Sequence, residues 1–190
     1  GKRVDEVYPL FGKAVDTVFE PYSLQAACPS DVVFLALPSG KAMHIVPELL
    51  NQGKRVIDLG GDFRLPDAIL YDQYYKHKHT APSLLGRAVY GLPEWNREDI
   101  RKAPLVANPG CYPTGAILPL VPLLKEGAID TDGLVISSLS GVSGAGRSNS
   151  QDLSFVEVNE SVKAYKVGVH QHNPEIQTVL TSLTGGRADF

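Results

Sequence analysis

A strand, helix, strand pattern between residues 31 and 59 constrains the fold more than any other feature of the chain. Asp31-Val32-Val33-Phe34-Leu35-Ala36-Leu37 is an unbroken apolar run rich in β-branched and aromatic residues. Such a run predicts a strand buried on both faces, as in a parallel sheet. Pro38-Ser39-Gly40 breaks it, and residues 41–52 carry apolar side chains at Ala42, Ile45, Val46, Leu49 and Leu50, one face of a helix. Gly53 stands where a C-terminal cap belongs, and residues 55–59 read as the second strand. Two strands joined by a helix in so short a span form a βαβ unit, so the first part of the chain is α/β with a parallel sheet.

The pattern continues less regularly. Residues 22–30 read as helix and loop, and residues 66–104 hold mostly turn signals, with an aromatic stretch at 71–75 and a His77-Lys78-His79 tract expected on the surface. Residues 89–95 read as irregular and 96–102 as a short polar helix. Leu105-Val106-Ala107 is a further strand. Residues 114–124 are helical in pattern, with Pro119 and Pro122 predicting a kink or break. Residues 134–139 predict another strand, followed by a glycine-rich loop. A formal net charge of −3 and the absence of any basic block leave no footprint for nucleic acid. No apolar run approaches the roughly 18 residues of a membrane-spanning helix. Two cysteines make no disulfide framework, so a reducing cytoplasm is the expected compartment.

Cys111 follows Asn108-Pro109-Gly110, a sharp turn leaving a strand, and falls at the start of the next helix. Free backbone N–H groups and the positive end of the helix dipole favour an anion there, either a thiolate or the oxyanion of a tetrahedral intermediate. Cys111 is therefore a candidate nucleophile, the alternative being a small buried hydrophobe. Cys28, before Pro29-Ser30, lies in an ordinary loop and is read as incidental. His170 and His172 alternate in a short run expected to be extended, which would place both rings on one side. Asn173 and Pro174 then read as N-cap and first residue of a helix. Imidazole suits proton transfer to and from a thiol. A metal site is the competing reading of His-x-His, but His44, His77 and His79 do not complete a ligand set by spacing, and no metal is assigned.

Two further stretches suit a dinucleotide. Pro38, Ser39 and Gly40 sit between a strand's carboxyl end and a helix start, where α/β proteins bind such ligands. In Ser140-Gly141-Val142-Ser143-Gly144-Ala145-Gly146-Arg147, the glycines allow close approach of backbone to ligand. Arg64 is a candidate for an anionic phosphate or carboxylate, or a partner of Asp62 or Asp67.

Taken together, Val106-Ala107-Asn108-Pro109-Gly110-Cys111-Tyr112-Pro113-Thr114, the Ser140 to Arg147 loop, Val156-Glu157-Val158-Asn159-Glu160 and His170-Gln171-His172-Asn173-Pro174-Glu175-Ile176 resemble, in order, the N-acetyl-γ-glutamyl-phosphate reductase family. Upstream, Asp58-Leu59-Gly60-Gly61-Asp62-Phe63-Arg64-Leu65 and Val89-Tyr90-Gly91-Leu92-Pro93-Glu94-Trp95 also match, so the resemblance covers most of residues 31–177. It implies a Rossmann-type NADP-binding domain joined to an α/β catalytic domain of the semialdehyde dehydrogenase type, here divided at 1–110 and 111–190. It implies reduction of an acyl phosphate through a Cys111 thioester, with His170 as acid and base. Tyr165, His172, Glu175 and Arg64 would bind substrate. Asn108, Ser140, Gly141, Ser143 and Gly144 would join Pro38, Ser39 and Gly40 in the cofactor site, and the family is homo-oligomeric. An aspartyl-phosphate reductase, a cysteine hydrolase without nucleotide and an inert fragment are the competing readings. The chain opens without Met, lacks the G-x-x-G-x-x-G fingerprint of the first strand-helix turn, and is expected to be a piece of a longer protein truncated at both ends.

Overall fold

The protein is described here by a computed structural model covering residues 1–147 and 150–185. The βαβ unit forms as the apolar pattern dictates: β1 (Val32–Leu35), a helix over Ala42–Asn51, and β2 (Arg55–Asp58). Two further strands, β3 (Val89–Tyr90) and β4 (Leu105–Ala107), complete a sheet of order β1-β2-β4-β3, parallel throughout. The helices in chain order are α1 (Val4–Val7), α2 (Leu24–Ala27), α3 (Ala42–Asn51), α4 (Ala68–Tyr75), α5 (Pro93–Lys102), α6 (Cys111–Lys125), α7 (Phe155–Val158) and α8 (His172–Thr184).

Register fixes what the sheet can do. Leu35 stands opposite Asp58, Asp58 opposite Ala107, and Tyr90 opposite Ala107. The carboxyl ends of all four strands therefore form one row, and the segments that leave them emerge along a single edge. That edge is where open parallel sheets hold ligands. On one face of the sheet, α3 buries Ala42, Met43, Val46 and Leu49 against Leu35, Val56 and Leu105, with Phe63, Leu65 and Tyr71 extending the core. The other face is open at the edge strand: Phe34 is 65% exposed. The expectation that the first strand would be buried on both faces is corrected accordingly, because residue pattern reports apolarity and sheet order decides coverage.

A second body of packing centres on α6 and α8. Ala116, Ile176 and Leu180 form one cluster between them, and Ile117, Val121, Val179 and Leu92 form another that reaches Tyr90 and Trp95. α6 runs unbroken from Cys111 to Lys125 despite Pro113, Pro119 and Pro122. The expected kink does not interrupt the helix, since burial of Pro113, Ala116, Ile117 and Val121 along one face offsets the missing hydrogen bonds.

Several local expectations are corrected. The aromatic stretch at 71–75 is helical, capped by Asp67, whose side chain accepts from Ile69 N at 2.8 Å. The 89–95 segment supplies β3 and the start of α5, which bends at Asn96. Residues 134–139 form no strand among the described residues. Leu134 and Ile136 pack inward on the α6–α8 cluster while Val135 is 93% exposed, so the side chains alternate as a strand's would. What is missing is a neighbouring strand to take the backbone hydrogen bonds. No helix among the described residues is long and apolar enough to cross a membrane.

Candidate active site

Cys111 is the first residue of α6, exposed, with Gly110 as a side-chain-less N-cap. Thr114 N–H returns to Gly110 O at 3.0 Å, and Pro113 has no N–H. Cys111 N–H and Tyr112 N–H, in the first turn of α6, are thus helix-start donors without a backbone acceptor in the helix. An oxyanion or thiolate placed there meets two N–H groups and the positive helix end.

His170 and His172 come together with this turn, though through a turn and helix start and not through a strand. Their ring centroids lie 4.6 Å apart. His170 contacts Tyr112 edge-on at 5.4 Å and Tyr165 at 5.5 Å, and its Nδ1 accepts from His172 N–H at 3.1 Å. The N-cap of α8 is Gln171, so Asn173 and Pro174 lie inside the first turn, a correction of the expected cap. Burial, reinforced by Lys166, holds the His170 imidazole below its ordinary value and so favours its neutral form. His172 is pushed down to about 3 by burial, with His170, Arg64 and Lys166 adding to it. It is a neutral wall and not a proton shuttle, and its Nδ1 has no partner.

Tyr165 OH donates to Tyr112 OH at 2.9 Å. Burial and that donation push the Tyr165 phenol up to about 12. Tyr112, the residue after Cys111, thus packs with Tyr165 and His170 in one group of rings. Tyr112 and Tyr90 were missed by sequence reasoning. Their only signal was their place inside the Cys111 and Tyr90-Gly91-Leu92-Pro93 motifs.

Glu175, expected among substrate ligands, is enclosed at 0% exposure. Its Oε1 accepts from Gly110 N at 2.9 Å and from Tyr90 OH at 2.7 Å. Its Oε2 lies 3.7 Å from Arg64 Nη1. Burial raises the Glu175 carboxyl, against the opposing pull of Arg64, Gly110 N–H and Tyr90. Arg64 pairs with neither Asp62 nor Asp67. It donates from Nε to Asn108 O at 2.7 Å and from Nη2 to Leu59 O at 2.9 Å.

The Pro38-Ser39-Gly40 turn stands at the carboxyl end of β1, as expected. Asp62 fixes it: Oδ1 accepts from Gly40 N at 2.6 Å and from Tyr71 OH at 2.7 Å, and Oδ2 accepts from Met43 N at 3.1 Å. A buried carboxylate thus already occupies the start of α3. The turn suits a neutral part of a dinucleotide, a sugar or an amide, and repels a phosphate. His79 corrects the surface reading of its tract. It is buried, with Nε2 2.8 Å from Asp62 O and Nδ1 accepting from Ala81 N at 3.2 Å. The loop of Ser140, Gly141, Ser143 and Gly144 is exposed and closes on itself, Gly144 N donating to Gly141 O at 2.9 Å, with Arg147 over the Tyr8 ring at 4.5 Å. Asn108 N donates to Asp58 O at 2.8 Å, and its side chain turns to Pro109 O. Among the described residues, no group of three or more His, Cys, Asp or Glu side chains is placed to hold a metal ion.

Asp58 lies under this edge, fully buried, with Oδ1 accepting from Gly60 N at 2.9 Å and Oδ2 unpartnered. Burial raises its carboxyl to about 6, helped by Asp62 and resisted by Gly60 N–H and Arg64. The folded protein holds this proton more tightly than the unfolded chain. The group's contribution to stability is therefore lost as pH rises from about 4 to about 6. Asp58→Asn is expected to flatten that decline by up to about 3 kcal/mol in urea unfolding at a series of pH values. An undiminished decline in the variant would point to another group.

Comparison with known proteins agrees with this geometry. Residues 1–103 match the family model described as semialdehyde dehydrogenase, NAD binding domain, and residues 111–190 match the semialdehyde dehydrogenase dimerisation domain. The chain is 53% identical over 186 residues to the N-acetyl-gamma-glutamyl-phosphate reductase of Pelotomaculum thermopropionicum, covering 97% of this chain and 54% of that protein. It is 49% identical over 186 residues to the same-named protein of Symbiobacterium thermophilum, covering 97% of this chain and 53% of that one. The protein so named in Alkalilimnicola ehrlichii is 47% identical over 190 residues, all of this chain and 55% of the relative. The chain spans about half the length of the curated relatives it matches. A cysteine-bearing turn at the carboxyl edge of a parallel sheet and matches to two domains of one family lead to one statement: the chain belongs to the semialdehyde dehydrogenase family and within it resembles the N-acetyl-γ-glutamyl-phosphate reductases.

Proposed function

We propose that the full-length protein reduces N-acetyl-γ-glutamyl phosphate to N-acetylglutamate semialdehyde with NADPH, as a homo-oligomer in the cytoplasm. The observation that carries the reading is the exposed Cys111 thiol at the start of α6, next in sequence to Tyr112, whose ring packs against His170 at 5.4 Å. The names of the relatives supply the acyl group.

His170 takes the Cys111 proton, and the thiolate sulfur bonds to the acyl carbon. The oxyanion that forms is held by Cys111 and Tyr112 N–H groups. Collapse breaks the carbon–oxygen bond to phosphate, leaving a thioester and inorganic phosphate. Pro38, Ser39, Gly40, Asn108, Ser140, Gly141, Ser143 and Gly144 would hold NADPH, which would supply the hydride to the thioester carbon. Expulsion of the Cys111 thiolate then releases the aldehyde. Tyr165 and His172 border the acyl chain. A division at 1–110 and 111–190 would make Cys111 the first residue of the second unit.

The test uses the full-length protein and phosphate-dependent NADP reduction. N-acetylglutamate semialdehyde is expected to be preferred over aspartate semialdehyde by at least about 10³-fold in kcat/KM, since an acetamido group and a longer chain must both be accommodated. The reverse preference would assign the protein to the aspartyl-phosphate branch. Acyl transfer to water without nucleotide would favour a hydrolase.

A further inference from the structure

Glu175 and Arg64 sit where a substrate ligand would be sought, yet every hydrogen bond they make is to the protein itself, and the remaining Glu175 Oε2, without a hydrogen-bond partner, is buried. Glu175 Oε1 accepts from Gly110 N–H, and Arg64 Nε donates to Asn108 O, so the two side chains grip the Asn108-Pro109-Gly110 turn at its two ends. The grips are joined, Arg64 Nη1 lying 3.7 Å from Glu175 Oε2. Arg64 also holds Leu59 O beyond β2, and Tyr90 at the end of β3 donates to Glu175. On the opposite side, the His172 ring lies against Gly110, where an added Cβ would come within 2.5 Å of Nε2. His170 precedes His172 by two residues, and Glu175 follows it by three on α8. One network therefore sets the turn that carries Cys111 and the helix start that carries His170.

We propose that Glu175 and Arg64 are positioning residues for the Cys111 thiol, acting through the backbone of the 108–110 turn and not by touching substrate. The inference rests on Cys111 being the nucleophile. For the fully buried Glu175 to reach substrate, it would have to leave Gly110 N–H and Tyr90 OH without their acceptor and draw away from Arg64. Such buried losses are costly for each group. Releasing the turn costs in a different way: an error of about 1 Å between reacting groups can lower a rate about 100-fold.

The experiment compares Glu175→Ala, Glu175→Gln and Tyr90→Phe in the full-length protein. Iodoacetamide labelling of Cys111, without any ligand, is followed by mass spectrometry between pH 6 and 9, with the exposed Cys28 as internal reference. Steady-state kcat and KM are measured beside it. In Glu175→Ala, Cys111 labelling relative to Cys28 is expected to fall about tenfold at pH 7, and kcat about 100-fold, with KM for the acyl phosphate within about threefold. Glu175→Gln keeps an acceptor for Gly110 N–H and is expected to recover to within about tenfold of the parent kcat. Tyr90→Phe removes one hydrogen bond and shifts both readouts the same way by about threefold, so it tests the idea if Glu175→Ala does not fold. An unchanged labelling profile in Glu175→Ala, or in Tyr90→Phe where that variant stands alone, overturns the proposal. So does a rise in KM at constant kcat, which would make Glu175 a substrate ligand. Labelling reads the thiol without turnover, so failure of the reductase reading would show as inactivity of the parent protein and not in this profile.

Discussion

Cys111→Ser in the full-length protein is expected to lower kcat by at least about 10⁴-fold while leaving NADPH binding within about twofold. The reasoning is chemical first. A serine hydroxyl does not ionise near neutral pH, and an imidazole lowered by burial, as that of His170 is, is too weak a base to compensate. The phosphate-leaving step and the later expulsion that frees the aldehyde both need a sulfur that forms and breaks its bond to carbon with ease. The substitution is structurally mild, because Cys111 is exposed and serine is well accepted at a helix start. Turnover by absorbance at 340 nm, phosphate release in a single turnover, and NADPH binding by fluorescence separate the two effects. Turnover within tenfold of the parent would remove Cys111 from the nucleophile's place.

What could be read in the sequence was what rests on contiguous residues. The β1-α3-β2 unit followed from apolar periodicity alone, and the position of Cys111 at a helix start followed from a strand, a Pro-Gly turn and a helical pattern. Residues 134–139 show where this stops. Their alternation is real, with Leu134 and Ile136 inward and Val135 outward, but a strand also needs a partner, and a pattern cannot supply one. His79 looked like one of three surface residues. Its ring is buried because Asp62 O and the edges of Phe63 and Tyr71 enclose it, contacts that depend on how the 66–80 segment folds back.

The supports of the site were harder to read than the nucleophile. Arg64 stands between Asp62 and Asp67, two near carboxylates that sequence proximity favours as partners. Neither pairs with it, because Asp62 is spent on Gly40 N, Met43 N and Tyr71, and Asp67 caps α4. The guanidinium is left to reach across the strand ends to Asn108 O and Glu175. Competing hydrogen-bond demands decided the pairing, and they become visible only when every acceptor is placed.

Gly110→Ala is expected to lower kcat by about 100-fold and stability by about 1 to 3 kcal/mol, although the backbone there suits alanine. Gly110 has φ −67° and ψ 158°, ordinary extended values, so no dihedral strain arises. The cost is steric: the added Cβ would stand 2.5 Å from His172 Nε2 and 2.8 Å from both Cδ2 and Cε1. The ring is buried and backed by His170 at 4.6 Å, so it relieves the clash only by pushing His170, the proposed acid and base, or by lifting the turn off Glu175. Gly115, one turn further along α6, is the matched control. It is exposed, nothing lies within 4 Å of its added Cβ, and alanine there is expected to stabilise the helix by up to about 1 kcal/mol with kcat unchanged. Thermal unfolding and steady-state rates on the two variants check the pair. Equal behaviour would mean that the His172 ring is free to retreat, and that the contact does not set the geometry around Cys111.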